Sequence, residues 1–164
     1  MSTLHLLRHA EAHWQSPGPG GDHARPLSAR GVQQARGVGA YLRGARIDVI
    51  LASSATRTLQ TAEALGLGVP IWDRDEIYNA GAPDILEQIM TVPDGYAGIL
   101  VVGHAPGIPA LAHALADASS DATARATIAY RYPPATLSTL TAHTPWSKLR
   151  SASLIDARIA PEPG

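Results

Sequence analysis

Three short apolar runs constrain this chain more than any other feature: Leu4-His5-Leu6-Leu7, Ile47-Asp48-Val49-Ile50-Leu51 and Ile99-Leu100-Val101-Val102. Their lengths suit strands better than helices. The second and third are rich in β-branched residues and almost free of charge, as expected of strands covered on both faces of a largely parallel sheet. Between and after them, helical spacing recurs. Ser28 can cap a helix with Val32, Ala35, Gly39 and Leu42 on one face and Gly44 near its end. Its internal Gly31, Gly37 and Gly39 each cost ~1 kcal/mol relative to Ala, so packing must hold it. A second helix is predicted from Ala55 to Leu65, stopping at Gly66, and a short third follows Pro83 through Ile85, Leu86 and Ile89. After the third run, Pro106 stands at a helix start, and Ile108, Leu111, Ala112 and Leu115 follow the i, i+3, i+4, i+7 rule. Near the C-terminus, Ile155, Ala157 and Ile159 alternate with Asp156 and Arg158 as in a half-exposed strand, and Leu137 and Leu140 suggest another. The pattern predicts a three-layer α/β/α sandwich with a mostly parallel central sheet and room for an antiparallel edge. It does not order the strands.

Composition narrows the function classes. The 164 residues suit one domain, able to bury roughly two-thirds of its unfolded surface. With 45% apolar residues, 16% charged residues and a formal charge of -1, neither disorder nor a basic nucleic-acid-binding surface is suggested. Zero cysteines exclude a disulfide framework, thiolate metal sites and a cysteine nucleophile. The first residues lack the basic flank and apolar run of a signal peptide, and no apolar stretch approaches the ~18 residues of a membrane span. A cytoplasmic protein without membrane or nucleic-acid partners is expected. Ser16 to Asp22 (SPGPGGD) reads as a surface loop rather than a linker. Oligomeric state is left open.

Each strand-like run is followed by polar groups that a strand does not require: Arg8-His9, Ser53 with Arg57 four residues on, and His104. In open α/β sheets ligands bind outside the carboxyl ends of the strands, and strands ~4.8 Å apart would bring three adjacent ends within about 10 Å. Two histidines and two arginines then meet in one cationic pocket. Guanidinium groups grip phosphate oxygens, and a helix start after His104 would add backbone N–H donors. The implied ligand is a phosphoryl group, with imidazole as the nucleophile. A metal reading of His9, Glu11 and His13 is weaker, because a strand-to-loop setting does not put them on one helical face. His23, His113 and His143 carry no motif, and Arg125 to Arg131 reads as surface.

These residues form a recognisable set. Arg8-His9-Ala10-Glu11-Ala12 resembles the Arg-His-Gly motif of the histidine phosphatase superfamily, which includes the cofactor-dependent phosphoglycerate mutases. Arg25-Pro26-Leu27-Ser28-Ala29-Arg30-Gly31 is similar to its Arg-Pro-Leu-Ser/Thr-x-x-Gly segment, Ser53 to Ala62 to its Ser-x-x-x-Arg-x-x-Gln-Thr-Ala segment, and Val102-Gly103-His104-Ala105-Pro106 to its Val-Gly-His-x-Pro motif. The Arg-Pro-Leu segment, the short chain and a tail containing Tyr130 to Pro133, Trp146 and Leu154 to Ile159 resemble the SixA-like branch. The resemblance implies a phosphoglycerate mutase-like fold, one histidine phosphatase domain over 1-164, and no cofactor or metal. It makes His9 the nucleophile, with Arg8, Arg57 and His104 around the phosphoryl group and Arg25 at the rim. Ser53 and Glu76 join Arg25 as candidate substrate contacts.

Two departures stand out. Ala10 replaces the usual Gly after the nucleophile, which preserves the turn if its φ is negative and strains it otherwise. Ala105 stands where the branch often has a polar or acidic residue. The expected substrate is phosphohistidine on a protein, whose imidazole leaving group needs little acid assistance. The alternatives are a small phosphomonoester, with Glu76 as general acid and Asp84 behind it, and a phosphoprotein-binding module without turnover.

Overall fold

The computed structural model describes residues 1–162. Six strands form one sheet: β1 (Ser2–Arg8), β2 (Val49–Ser53), β3 (Ile71–Arg74), β4 (Gly98–Gly103), β5 (Leu137–Ala142) and β6 (Ser153–Arg158). Five α-helices accompany them: α1 (Ala29–Tyr41), α2 (Thr56–Ala64), α3 (Ala82–Met90), α4 (Gly107–Leu115) and α5 (Ala122–Tyr130). The sheet order is β3-β2-β4-β1-β5-β6. The first four strands of that order run parallel, β5 is antiparallel to β1, and β6 is antiparallel to β5. Among the described residues no helix is long and apolar enough to cross a membrane.

The sheet is covered on both faces, which explains the uncharged inner strands. Leu4, Leu6, Leu51 and Val101 pack beneath Ile85 and Ile89 of α3, Ile108 and Leu111 of α4, and Ile128 of α5. Leu7, Ile50, Leu100 and Val102 face Ala35 and Val38 of α1 and Ala62 of α2. These are the three predicted layers.

Ser28 caps α1 as expected, its hydroxyl accepting the Gly31 N–H at 3.0 Å. The glycines of that helix have a packing reason. A Cβ on Gly31 would lie 1.9 Å from the Glu11 carbonyl oxygen, and one on Gly39 would lie 1.9 Å from that of Leu65. Helix α1 thus presses directly on the loop after β1 and on the end of α2.

Four local expectations are corrected. β2 begins and ends two residues later than the run 47–51, because Asp48 turns its carboxylate to the Ala97 and Gly98 N–H groups and stays outside the strand. β3 was not anticipated; it is a four-residue edge strand with no fully buried side chain. Helix α5 was read only as surface. Its Arg125 side chain is exposed, but Asp121 caps a helix that buries Ala124 and Ile128. In β6 the expected alternation is inverted at Ile155, which is 51% exposed while Leu154 is buried. Thr139 pairs with Asp156 but Leu140 with Leu154, so Ile155 is the extra residue of a bulge.

Candidate active site

In the sheet order, β2, β4 and β1 are consecutive, so the three ends bearing Ser53, His104 and Arg8-His9 are neighbours. A cavity of about 930 Å³ opens there, lined by Arg8, His9, Arg25, Arg57 and His104 and by Asp22, Tyr78 and Asn79. Side chains from positions 8, 9, 57 and 104 therefore line one cavity, as the strand-end argument anticipated, and Arg25, which only the resemblance suggested, lines it with them.

His9 is fixed by backbone on both sides. Its N–H donates to Gly103 O at 2.9 Å, and its carbonyl accepts from Ala135 N at 3.0 Å. Its Nδ1 lies 2.7 Å from Ala10 O, and a carbonyl can only accept, so Nδ1 carries the proton and the Nε2 lone pair is free. Burial, reinforced by the positive charges of Arg57, Arg8 and Arg25, lowers the His9 pKa to about 4. The ring is neutral at physiological pH. Ala10 adopts no positive φ, since the non-glycine residues that do are Asn79 and Ala135. Its N–H bonds Thr61 Oγ1 at 3.1 Å, and the turn accepts the missing glycine.

His104 stands beside His9, with ring centroids 5.3 Å apart. Burial and the neighbouring His9 and Arg57 lower its pKa to about 3. Its Nε2 lies 2.8 Å from Ser53 Oγ. Ser53 Oγ also accepts from the Ala55 N–H at 3.3 Å. Ser53 is completely buried, outside the cavity lining. The expected substrate contact is therefore corrected: Ser53 orients a histidine instead.

The arginines are held rigidly. Arg8 Nη1 donates to Tyr132 O at 2.8 Å, and burial together with Arg57 lowers its pKa. Arg57 is buried and donates through Nη1 to Asp22 O at 2.8 Å and through Nη2 to Asp22 Oδ2 at 3.1 Å. Arg25 donates through Nε to His13 O and through Nη1 to Asp22 Oδ1, at 2.7 and 2.9 Å. Arg8 Nε, Arg57 Nε and His104 Nδ1 are buried without a hydrogen-bond partner among the described residues. Orphaned donors of this kind are costly in isolation and suit a site that receives oxyanion oxygens.

Other expectations fare differently. Pro106 and Pro109 have no N–H, and the Ile108 N–H is taken by His104 O at 2.8 Å, so the start of α4 adds little to the donor set. Glu76 is exposed and, like Asp84, lies outside the cavity lining; its neighbours Tyr78 and Asn79 line it instead. Glu11 accepts from Ser28 Oγ at 2.8 Å and pairs with Arg30 at 3.0 Å. Among the described residues no three histidine or carboxylate side chains group as metal ligands.

Sequence reading overlooked Asp22 and Tyr78. Tyr78 Oη donates to Asp22 Oδ2 at 2.7 Å, and this bond, with those from Arg25 and Arg57, holds the Asp22 carboxyl well below the usual carboxylate range. Asp22 stood at the end of the loop read as plain surface. Tyr78 was two residues from the carboxylate chosen in its place.

Residues 4–82 match the histidine phosphatase superfamily (branch 1). A Nakamurella multipartitia structure, provisionally assigned as phosphohistidine phosphatase SixA, superposes with a TM-score of 0.84 at 36% identity, covering 97% of this chain and 96% of that one. An Agrobacterium tumefaciens structure of the same provisional assignment gives 0.79 at 29% identity over 98% and 99% of the two chains. An uncharacterized Mycobacterium tuberculosis protein is 34% identical over 144 residues, 86% of this chain and 90% of its own length.

Proposed function

The chain belongs to the histidine phosphatase superfamily, in its SixA-like branch, and from that membership we propose that it is a phosphatase working through a phosphohistidine formed on His9, with a protein phosphohistidine as substrate. The observation that carries this reading is the His9 hydrogen bond to Ala10 O, which commits Nδ1 to donation and leaves a neutral Nε2 as nucleophile. The Nε2 lone pair attacks phosphorus in line, the bond from phosphorus to the leaving nitrogen breaks, and a water later cleaves the new P–N bond. Arg8, Arg57 and His104 hold the equatorial oxygens, Arg25 closes the rim, and the chain acts as a single histidine phosphatase domain requiring no metal. Two features favour phosphohistidine over a phosphomonoester: an imidazole with pKa near ~6.5 departs without an acid, and Glu76 lies outside the cavity lining. The related structures provisionally assigned as phosphohistidine phosphatases support the same choice. Trp14, on the cavity rim and 91% exposed, leaves the mouth accessible to a protein surface.

The test compares wild type with His9→Ala on a histidine-phosphorylated protein and on p-nitrophenyl phosphate. An acid-labile phosphoenzyme in wild type and loss of both activities in His9→Ala are expected. Undiminished turnover by His9→Ala, or turnover abolished by a chelator, refutes the mechanism.

A further inference from the structure

Asp22 is bound more extensively than a loop carboxylate needs for its own solvation. Oδ1 accepts from Arg25, Oδ2 accepts from both Arg57 and Tyr78, and its backbone oxygen accepts a second Arg57 N–H. A carboxylate offers about four acceptor positions, and protein donors fill three of these. The one that remains is on Oδ1. The side chain is 49% exposed and lines the cavity, whereas His9 lies buried at its floor. In-line displacement places the leaving atom on the far side of phosphorus from buried His9, the side on which an exposed lining group such as Asp22 can meet it.

We propose that Asp22 is a specificity-determining residue, whose ionised carboxylate accepts a hydrogen bond from the distal ring N–H of a departing imidazole and so selects P–N over P–O substrates. The inference rests on the reading of His9 as nucleophile. The atoms balance without any proton transfer at this step. In the protonated phosphohistidine the ring nitrogen away from phosphorus carries a proton. As His9 Nε2 bonds to phosphorus, the phosphorylated nitrogen takes the P–N electron pair, and the ring leaves as neutral imidazole with its N–H on Asp22. The hydrogen bonds from Tyr78, Arg25 and Arg57 keep Asp22 ionised, so it has no proton to give an alkoxide. A leaving phenolate, which is anionic and has no N–H, meets only repulsion from the same carboxylate. The residue thus favours one leaving group and disfavours the other.

Asp22→Asn keeps the shape and removes the charge. Its kcat/KM on free phosphohistidine should fall at least about tenfold further than that on p-nitrophenyl phosphate, the scale expected for losing a charge-assisted hydrogen bond. Asp22→Glu, which restores the charge, should return the ratio of the two toward wild type even where both rates drop. Equal losses on both substrates in Asp22→Asn would show that Asp22 only positions the arginines, and an unchanged ratio overturns the proposal. Should Asp22→Asn fail to fold, the Asp22→Glu ratio decides alone: a ratio shifted toward the phenyl ester also overturns it. Failure of the His9 reading is separate, because His9→Ala would then retain turnover of both substrates.

Discussion

Lowering the pH should unfold this protein by protonating three buried histidines, and only one of them can be altered without touching the cavity. His5 sits inside the sheet with Nδ1 3.0 Å from Thr139 Oγ1 and Nε2 without a partner among the described residues, and burial lowers its pKa to about 4. His9 and His104 are lowered to about 4 and about 3. In the unfolded chain each returns to ~6.5. Between these limits the unfolded state binds more protons than the native one, so stability falls as pH falls from about 6.5 toward 4 and is unaffected above that window. Each unit of pH inside the window costs about 1.4 kcal/mol per histidine, or about 2 kcal/mol each at pH 5. Three such groups remove about 6 kcal/mol, a large part of the roughly 5–15 kcal/mol that holds a typical domain folded. Urea unfolding at steps from pH 7.5 to 5 measures this directly. His5→Gln, whose amide can still bond Thr139, should lose about one-third less stability over the same range. A wild type equally stable at pH 7 and pH 5 would refute the argument, since these rings would then be protonated at no cost in the native state.

Three further outcomes follow from the geometry. Arg57→Lys replaces a planar fork bonded to Asp22 by a point charge, so inhibition by inorganic phosphate should weaken about tenfold or more, measured as a rise in the inhibition constant. Ser53→Ala strands a buried His104 nitrogen, and should cost about 1–3 kcal/mol in chemical denaturation and about tenfold or more in kcat. Gly31→Ala drives a Cβ to 1.9 Å from the Glu11 carbonyl and should destabilise by about 1–3 kcal/mol, whereas Gly37→Ala meets only Arg158 Nη2 at 3.8 Å and should gain up to about 1 kcal/mol.

The layers and the strand ends were legible because they follow from residue type and spacing. Runs such as Ile99 to Val102 must be covered on both faces, and polar groups immediately after them must gather at one edge of a parallel sheet. Strand order was not legible, because it depends on which helices cover which face, and the apolar pattern is the same for every order. β3 and α5 escaped for a related reason: an edge strand with no fully buried residue and a helix burying only Ala124 and Ile128 give little periodic signal. The bulge at Ile155 broke the alternation at that residue, since the extra residue drops out of the pairing, whereas Ala157 beyond it packs on the core as its spacing implied. Asp22 was hidden by its setting. In a loop rich in Gly and Pro a single acid looks like a solvated charge, and its role appears only when Arg25, Arg57 and Tyr78 close on it from separate segments of the chain.

The charge of the site explains why both cavity histidines are kept neutral. Arg8, Arg25 and Arg57 contribute three positive charges and Asp22 one negative, while Glu11 is balanced by Arg30, so the cavity carries a net charge of +2. That matches a phosphoryl dianion. Protonating His9 or His104 would add a third unit of charge among arginines that already repel one another, and protonating His9 would also remove the lone pair that attacks. Burial therefore serves two ends with one arrangement: it holds His9 in its nucleophilic form and keeps the cavity's charge equal to that of its ligand. The whole chain, at -1, conceals this because most of its acids lie elsewhere, apart from Glu11, paired with Arg30, and Asp22, which bridges two of the three arginines. Losing the charge of Asp22 would raise the cavity to +3, which should tighten inorganic phosphate while weakening discrimination between leaving groups. A variant that bound phosphate more tightly yet turned over phosphohistidine more slowly would show that the carboxylate acts on the leaving group rather than on the phosphoryl oxygens.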